Sequence, residues 1–239
     1  MNYENILSAF LGALFAFFFV RMGDFLKRIS QRKQLYITSL VNIERNLNEN
    51  YNLLFENEFK INAIIKQYNK AKEKGYSLFS GNKLNLIPFD NNSFNNLSNM
   101  GFYNDLLNYK GKVTKFNTDN ENLFQAKELL KSSRLGNIIN DELYMYNLGL
   151  LVAKFDDINV FNSLLEDITK ELLAKARVLF KVDRSYLQKF YGYLIKKSYK
   201  KNFSILVNEE LRKVEEETKN YTNKDKILLD SIFNKESKN

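Results

Sequence analysis

The first stretch of the chain is apolar, and a set of basic residues follows it. Residues 6–20 carry no charge, whereas five cations occupy the next thirteen positions: Arg21, Lys27, Arg28, Arg32 and Lys33. A backbone in hydrocarbon satisfies its hydrogen bonds only within a helix or a closed barrel, so the apolar run predicts a membrane-spanning helix. Because a span needs about 20 residues, we extend the predicted helix from Tyr3 to Met22 and assign residues 1–22 as a transmembrane anchor.

A signal peptide is the alternative interpretation of this run. In a signal peptide the basic residues precede the apolar run and a cleavage site with small residues follows it, and neither feature is found here. The sequence therefore favours a retained anchor. By the positive-inside rule, we expect the few N-terminal residues outside and the chain after Arg21 in the cytoplasm.

Residues 23–74 form a second predicted element, a long helical stalk. Apolar residues recur there at alternating spacings of three and four, with polar residues at the remaining positions of the stripe, as in a heptad repeat. Two alternatives fit this pattern: a parallel coiled coil between copies, or the first helix of an intramolecular bundle. Tyr51, Phe55 and Ile65 widen the stripe, which favours the bundle. The stripe consists of Ile29, Tyr36, Leu40, Ile43, Leu47, Leu54, Ile61, Ile64, Tyr68 and Ala71, with Lys33, Asn50 and Asn57 between them.

The rest of the chain is predicted to be a loop followed by a helical bundle. Residues 75–101 contain three glycines, the single Pro88 and many asparagines, which predicts a connecting loop. We expect residues 102–239 to form the bundle, with a helix ending before Gly136. The predicted helices cover 102–108, 114–133, 140–155, 159–182, 185–220 and 224–234. The fold class is therefore all-α: one N-terminal transmembrane helix, a long helical stalk and a cytosolic helical bundle.

The composition excludes several classes of function. The chain has no cysteine, so it has no disulfides, thiolate zinc sites or iron–sulfur clusters, and it has no histidine, which is the commonest general base. There is no P-loop, no dinucleotide-binding glycine motif and no nucleophile elbow. We therefore expect a protein that is not an enzyme and that carries no cofactor or metal.

Small residues repeat along the predicted anchor. Ser8, Gly12 and Ala16 lie four residues apart, and small side chains on one stripe let transmembrane helices approach closely. We take these three residues as a candidate oligomer interface. Such patterns also occur by chance, so a monomeric anchor stays open as the alternative.

The positive charge is concentrated in the region from Lys170 to Lys201. This region holds ten cations and two acids, and ten minus two equals the net charge of +8 carried by the whole chain. Aromatic residues are interleaved with the cations, as in surfaces that stack nucleotide bases. The alternative is a solvated helix whose aromatic residues lie in the core. The candidate ligand-binding residues are Arg177, Lys181, Arg184, Lys189, Tyr193, Lys196, Lys197, Lys200 and Lys201.

The order of these segments resembles a known family. The segments that carry the resemblance are, in order, MNYENILSAFLGALFAFFFVRMGDFLKRISQRK, IERNLNENYNLL and NLIPFDNNSFNNLSNMG. Their layout is similar to that of the small single-pass membrane effectors of bacterial anti-phage defence, most of all to the Hailong-type transmembrane channels. The resemblance implies a homotetrameric channel in the bacterial inner membrane, controlled by an oligodeoxyadenylate bound to its cytosolic part. No diagnostic motif matches, so no site residue is carried over.

Two functions follow from the sequence as expectations. The first is a membrane-anchored oligomeric effector in anti-phage defence, a ligand-controlled channel or permeabilising protein that senses an anionic nucleotide or oligonucleotide. The second is a non-conducting coiled-coil adaptor that holds a cytosolic protein partner at the bilayer. Polar or small residues facing a central axis would favour the channel, and a stable anchor dimer with a conspicuous exposed apolar groove would favour the adaptor.

Overall fold

The computed structural model describes residues 3–74, 84–89, 94, 96–97, 99–184 and 203–217. Within these residues the chain forms four helices and no strand, which confirms the predicted all-α class. The helices are α1 (Tyr3–Lys74), α2 (Met100–Leu135), α3 (Asp141–Arg184) and α4 (203–217).

Helix α1 is unbroken but has two parts with different surroundings. Residues 8–32 are all exposed, and α1 is by length and composition able to cross a membrane with its apolar N-terminal part. From Tyr36 to Ile64 the heptad stripe is buried in the core of the same chain. The intramolecular bundle, rather than a parallel coiled coil, therefore accounts for this part of the stripe, and much of the predicted stalk is bundle.

Helix α3 is the centre of the bundle and runs antiparallel to both α1 and α2. Its later residues lie beside early α1, since Arg177 contacts Glu44, and its earlier residues lie beside late α1, since Gly149 faces Tyr68. Helices α1 and α2 nowhere bring their Cα atoms within 8 Å of each other, although each of them approaches α3 within that distance. We call the end of the bundle nearest residues 8–32 of α1 the proximal end and the opposite end the distal end.

An extended segment fills the space between α1 and α2. This inserted segment, residues 84–89, lies in the region predicted as a loop, and it buries Leu84, Leu86 and Phe89. Asn50 of α1 accepts from the Ile87 backbone N–H at 2.7 Å and donates to the Ile87 carbonyl at 3.0 Å. Asn117 of α2 holds Leu86 in the same way.

The Asn117 side-chain oxygen accepts from the Leu86 N–H at 2.8 Å, and its amide group donates to the Leu86 carbonyl at 2.9 Å. Buried backbone groups need partners, and an extended segment between two helices has no neighbouring strand to supply them. The side chains of Asn50 and Asn117 therefore supply the hydrogen bonds that neighbouring strands would make in a sheet. These bonds allow this part of the predicted loop to pack into the core.

Two predicted breaks in the later helices are absent. Helix α2 is continuous where we predicted separate helices over 102–108 and 114–133, and α3 is continuous where we predicted 140–155 and 159–182. A glycine such as Gly111 costs a helix only about 1 kcal/mol, which the packing of neighbouring Tyr109 and Val113 outweighs. The predicted stop at Gly136 is confirmed, because α2 ends at Leu135 and the Gly136 N–H bonds to the Ser132 carbonyl. The predicted helix over 224–234 lies outside the described residues.

Candidate functional site

Arg177 joins three helices at the proximal end of the bundle. Its Nε donates to Glu44 of α1 at 3.1 Å, and its Nη1 donates to Glu217 of α4 at 3.0 Å. Burial by itself would lower the pKa of Arg177, but the hydrogen bonds and charges of Glu217 and Glu44 outweigh burial and raise the pKa. The guanidinium is thus a charged link between α1, α3 and α4 rather than an unoccupied anion site.

Lys181, one helical turn further along α3, is paired with α4 as well. Its Nζ lies 2.6 Å from the Glu210 carboxylate, and Lys213 approaches the same carboxylate at 3.6 Å. The side chain of Glu210 is only 9% exposed. Burial alone would raise the pKa of this carboxyl group, but the bond to Lys181 and the nearby cations lower it. Glu210 is therefore held ionised against α3.

The face of α4 that contacts α3 alternates apolar and acidic residues. Val207 packs against Ala174, Val178 and Val182, and Glu210 follows it one turn later on the same face. A carboxylate on a docking face costs free energy unless a cation accompanies it. The attachment of α4 therefore depends on the ion pairs as well as on the valines.

The remaining described cations of the basic region are also paired. Lys170 lies 2.7 Å from Glu166, and Lys175 lies 2.8 Å from Asp105 and 2.7 Å from Glu171. Counting charges along the region from Lys170 to Lys201 overlooked these acids, because nearly all of them come from outside that stretch of sequence. In the described part of the region the positive charge is thus largely compensated.

A cleft between α3 and α4 illustrates this balance. Its volume is about 480 Å³, and its lining includes Lys170, Lys175 and Phe203. Asp167, Glu171 and Glu215 line the same cleft. An aromatic ring and two ammonium groups suit a nucleotide, but three carboxylates against two lysines do not attract a polyanion.

The rest of the predicted ligand-binding set is not described. Arg184 is the last residue of α3, and its side chain lies outside the described part of the chain. The same is true of these whole residues: Lys189, Tyr193, Lys196, Lys197, Lys200 and Lys201. Of the nine candidates, the structure therefore brings together only Arg177 and Lys181, which both contact Glu210. The ligand site as a whole stays a prediction.

The small-residue stripe lies on the exposed part of α1. Ser8, Gly12 and Ala16 are exposed, and a Cβ added at Gly12 would meet nothing within 4 Å. The stripe is therefore accessible to another helix, and its role as an oligomer interface stays a prediction.

A groove between α2 and α3 is a feature that the sequence reasoning missed. It lies towards the distal end and has a volume of about 760 Å³. Leu129 of α2 and Leu150 of α3 line it and are 68% and 51% exposed. The other lining residues are Asp119, Asn122, Leu123, Ala126, Leu130, Ser133, Asn147, Leu151, Lys154, Asp157 and Ile158.

A signal for the groove was present in the sequence. Helix α3 carries a buried stripe that includes Tyr144 and Leu148, and a second apolar set, Leu143, Tyr146 and Leu150, is about half exposed or more. A helix with apolar residues on two faces packs on two sides or exposes one of them. Of this second set only Leu150 lines the groove, so the pattern indicates a second apolar face on α3 but identifies neither the extent of the groove nor α2 as its opposite wall.

Among the described residues, no group of three or more acidic side chains could hold a metal ion. Compared with protein-family models, curated proteins and solved structures, the chain matches none of them.

Proposed function

We propose that this protein is a single-pass membrane effector that acts as a homo-oligomer. In this proposal the transmembrane helices of several copies open a path through the bacterial inner membrane. The cytosolic bundle controls that path by binding an anionic nucleotide or oligonucleotide. The observation that carries the proposal is the continuity of α1, which is exposed over residues 8–32, carries no charge up to Val20 beyond Glu4, and contributes to the core of the bundle from Tyr36 onwards.

A continuous helix couples the two parts mechanically. Helix α1 contains no proline and stays helical through Gly23, so no proline kink separates the exposed part from the buried part. A shift of α1 against α3 therefore moves the span as well. A soluble domain on a flexible tether would gain nothing from such continuity, whereas a controlled membrane helix requires it.

The proposed orientation follows from the charges beside the span. The cations after residue 20 stay in the cytoplasm, together with the bundle, and the few N-terminal residues lie outside. The ion pairs of α4 then lie on the cytosolic side, where a nucleotide ligand is available.

The ion pairs at the proximal end suggest how a ligand acts. An anion that binds Arg177 and Lys181 competes with Glu217 and Glu210 of α4 for the same cations. Binding is then unequal between the docked and undocked states of α4, and such inequality is what a ligand needs to shift a conformational equilibrium. Because Arg177 also contacts Glu44, the competition acts directly on α1.

Conductance of the full-length protein in planar bilayers tests the proposal. We expect currents that change when short oligodeoxyadenylates or nucleotides are added on the bundle side. Charge reversal at Lys196, Lys197, Lys200 and Lys201 should abolish the response, and reversal of Lys66, an exposed lysine of α1, is the control. No current with or without these ligands, from oligomers shown to be intact in the bilayer, would contradict the channel.

The second candidate function is a non-conducting anchored adaptor, and the groove between α2 and α3 is the observation that favours it. An exposed apolar groove of this kind is typical of surfaces that bind another helix. The conductance experiment separates the two functions, because an adaptor carries no current whatever its ligand.

A further inference from the structure

We propose that the groove between α2 and α3 is the cytosolic contact between two copies of this chain, groove against groove. In this arrangement α2 and α3 of each copy form a four-helix layer, with Leu129 and Leu150 of one copy seated in the groove of the other. The proposal rests on the proposed function in one respect, because it requires both copies to be anchored in the same membrane with the same orientation.

Among the described residues, no helix closes the bundle where the groove lies. Helix α4 covers α3 near Ala174, Val178 and Val182, at the proximal end. No described helix covers the distal part of α3 on the groove side, so Leu150 and Leu129 face solvent there. The groove follows α2 from Asp119 to Ser133 and α3 from Asn147 to Ile158, about 17 to 21 Å at ~1.5 Å per residue. That length accommodates about three to four turns of helix from each wall of a second copy.

Anchoring favours a second copy as the occupant. Helix α1 fixes the distance of the groove from the bilayer, since it runs from the span to the region where Tyr68 meets Gly149. Two copies in one membrane therefore hold their grooves at the same height. A two-fold contact requires the same patch on both partners, and confinement to one membrane raises its effective concentration. A soluble partner has neither advantage.

The charged residues that line the groove are of both signs, two acids and one lysine. Asp119 and Asp157 line the end nearer the centre of the bundle, and Lys154 lies one turn away from Asp157. A groove with acids alone would repel an identical groove. With a lysine one turn from the acids, each copy can place Lys154 against the carboxylates of the other, and this complementarity favours the two-fold register.

Crosslinking in the membrane tests the contact, because the chain has no cysteine and a single introduced cysteine is unique. The test variant is Leu150→Cys in the full-length protein in liposomes, treated with a short bismaleimide crosslinker. Val160→Cys is the matched control, since Val160 lies on the same helix, is 73% exposed and does not line the groove. We expect a covalent dimer from Leu150→Cys and at least tenfold less from Val160→Cys.

A second pair of variants avoids reliance on crosslinking geometry. Leu129→Glu and Leu150→Glu change exposed side chains, so the fold should persist, and each should lower the association constant at least tenfold. Val160→Glu should leave association unchanged. Equal crosslinking at both cysteines would overturn the proposal. So would oligomeric preparations in which Leu150→Cys forms no crosslink and the two glutamate variants associate like the wild type. Monomeric wild-type protein in the membrane would overturn it too.

The same liposomes separate this proposal from the channel. Groove crosslinking without any current would support the contact between copies and refute the channel function. Current without groove crosslinking, together with glutamate variants that still associate, would refute the contact and support the channel.

Discussion

The inserted segment should depend on the two asparagines that hold it. Replacing Asn50 with leucine keeps the size of the side chain and removes both bonds to Ile87, together with its bonds to Asn46 and the Tyr109 hydroxyl. The Ile87 N–H and C=O then lose their partners in the space between α1 and α2. Leucine offers no replacement, so the segment must leave its position or keep two unpaired polar groups.

The magnitude follows from those two groups. Ile87 is 37% exposed and both of its bonds are part-buried. At a net contribution of about 0.5 to 1.5 kcal/mol per hydrogen bond, losing the two predicts a decrease of about 1 to 3 kcal/mol in the free energy of unfolding. Asn117→Leu should cost a similar amount through Leu86. The double variant should lose clearly less stability than the sum of the two single losses. Once the bonds of one asparagine are lost, the segment leaves its position and the bonds of the other asparagine are lost with it.

Urea unfolding of the purified protein, followed by circular dichroism, measures these changes. Hydrogen exchange over residues 84–89 reports the segment itself, and protection of the Leu86 and Ile87 amides should disappear in both single variants. Asn48→Leu is the control, because Asn48 is exposed on the same helix, and its effect should stay within about 0.5 kcal/mol. Two results would refute the role of the asparagines in holding the inserted segment. One is an Asn50→Leu variant with wild-type stability and a protected Ile87 amide, and the other is strict additivity of the two single variants.

Four further outcomes are expected. Gly12→Leu should weaken self-association in detergent, because the leucine side chain keeps neighbouring helices apart, and Gly12→Ala should weaken it less. Equal masses for both variants and the wild type would refute the small-residue interface. Glu210 has a folded pKa below its ordinary 4.5, so it contributes stability above that pH, and the contribution is lost as the pH falls through the folded value. Glu210→Gln should therefore lower the urea midpoint at pH 7 and flatten its dependence below about pH 4.5, and an unchanged acid limb would contradict the pairing. Asn57 is 1% exposed, and within the described structure neither polar atom of its amide has a partner, so Asn57→Leu should raise the free energy of unfolding by about 1 to 3 kcal/mol; a loss of stability would contradict this. Finally, a C-terminal fluorescent fusion should be bright and an alkaline phosphatase fusion inactive, and the reverse result would invert the orientation assigned from Arg21 onwards.

The sequence was sufficient for the parts of the fold that depend on local periodicity. The stripe from Tyr36 to Ile64 has the spacing of a helix face, and its width correctly favoured burial within one chain over a narrow seam between copies. The exposed N-terminal third of α1 follows from an uncharged run. Both are properties of neighbouring residues, so no knowledge of distant contacts was needed.

The features that were missed all depend on residues far apart in sequence. Leu84 to Phe89 are rich enough in apolar residues for a core, but Pro88 and the surrounding asparagines indicate a loop, and only Asn50 and Asn117 make burial possible. The charge count failed for the same reason, since the partners of Arg177 lie 133 and 40 residues away. Local patterns show which residues are apolar or charged, but they do not show which of these residues contact each other in the folded chain.

The central position of α3 has a consequence for how the chain is made. The contacts that complete the core join residues more than 100 positions apart, for example Tyr51 with Glu166 and Leu54 with Asn162. At a synthesis rate of about 5 to 20 residues per second, the stripe of α1 waits several seconds or more before α3 leaves the ribosome. During that interval Leu40, Ile43 and Leu47 have no core to join. If the apolar part of α1 spans a membrane, as we propose, its insertion precedes folding of the bundle, and a chain that stops before α3 remains an inserted helix with an uncovered apolar stripe.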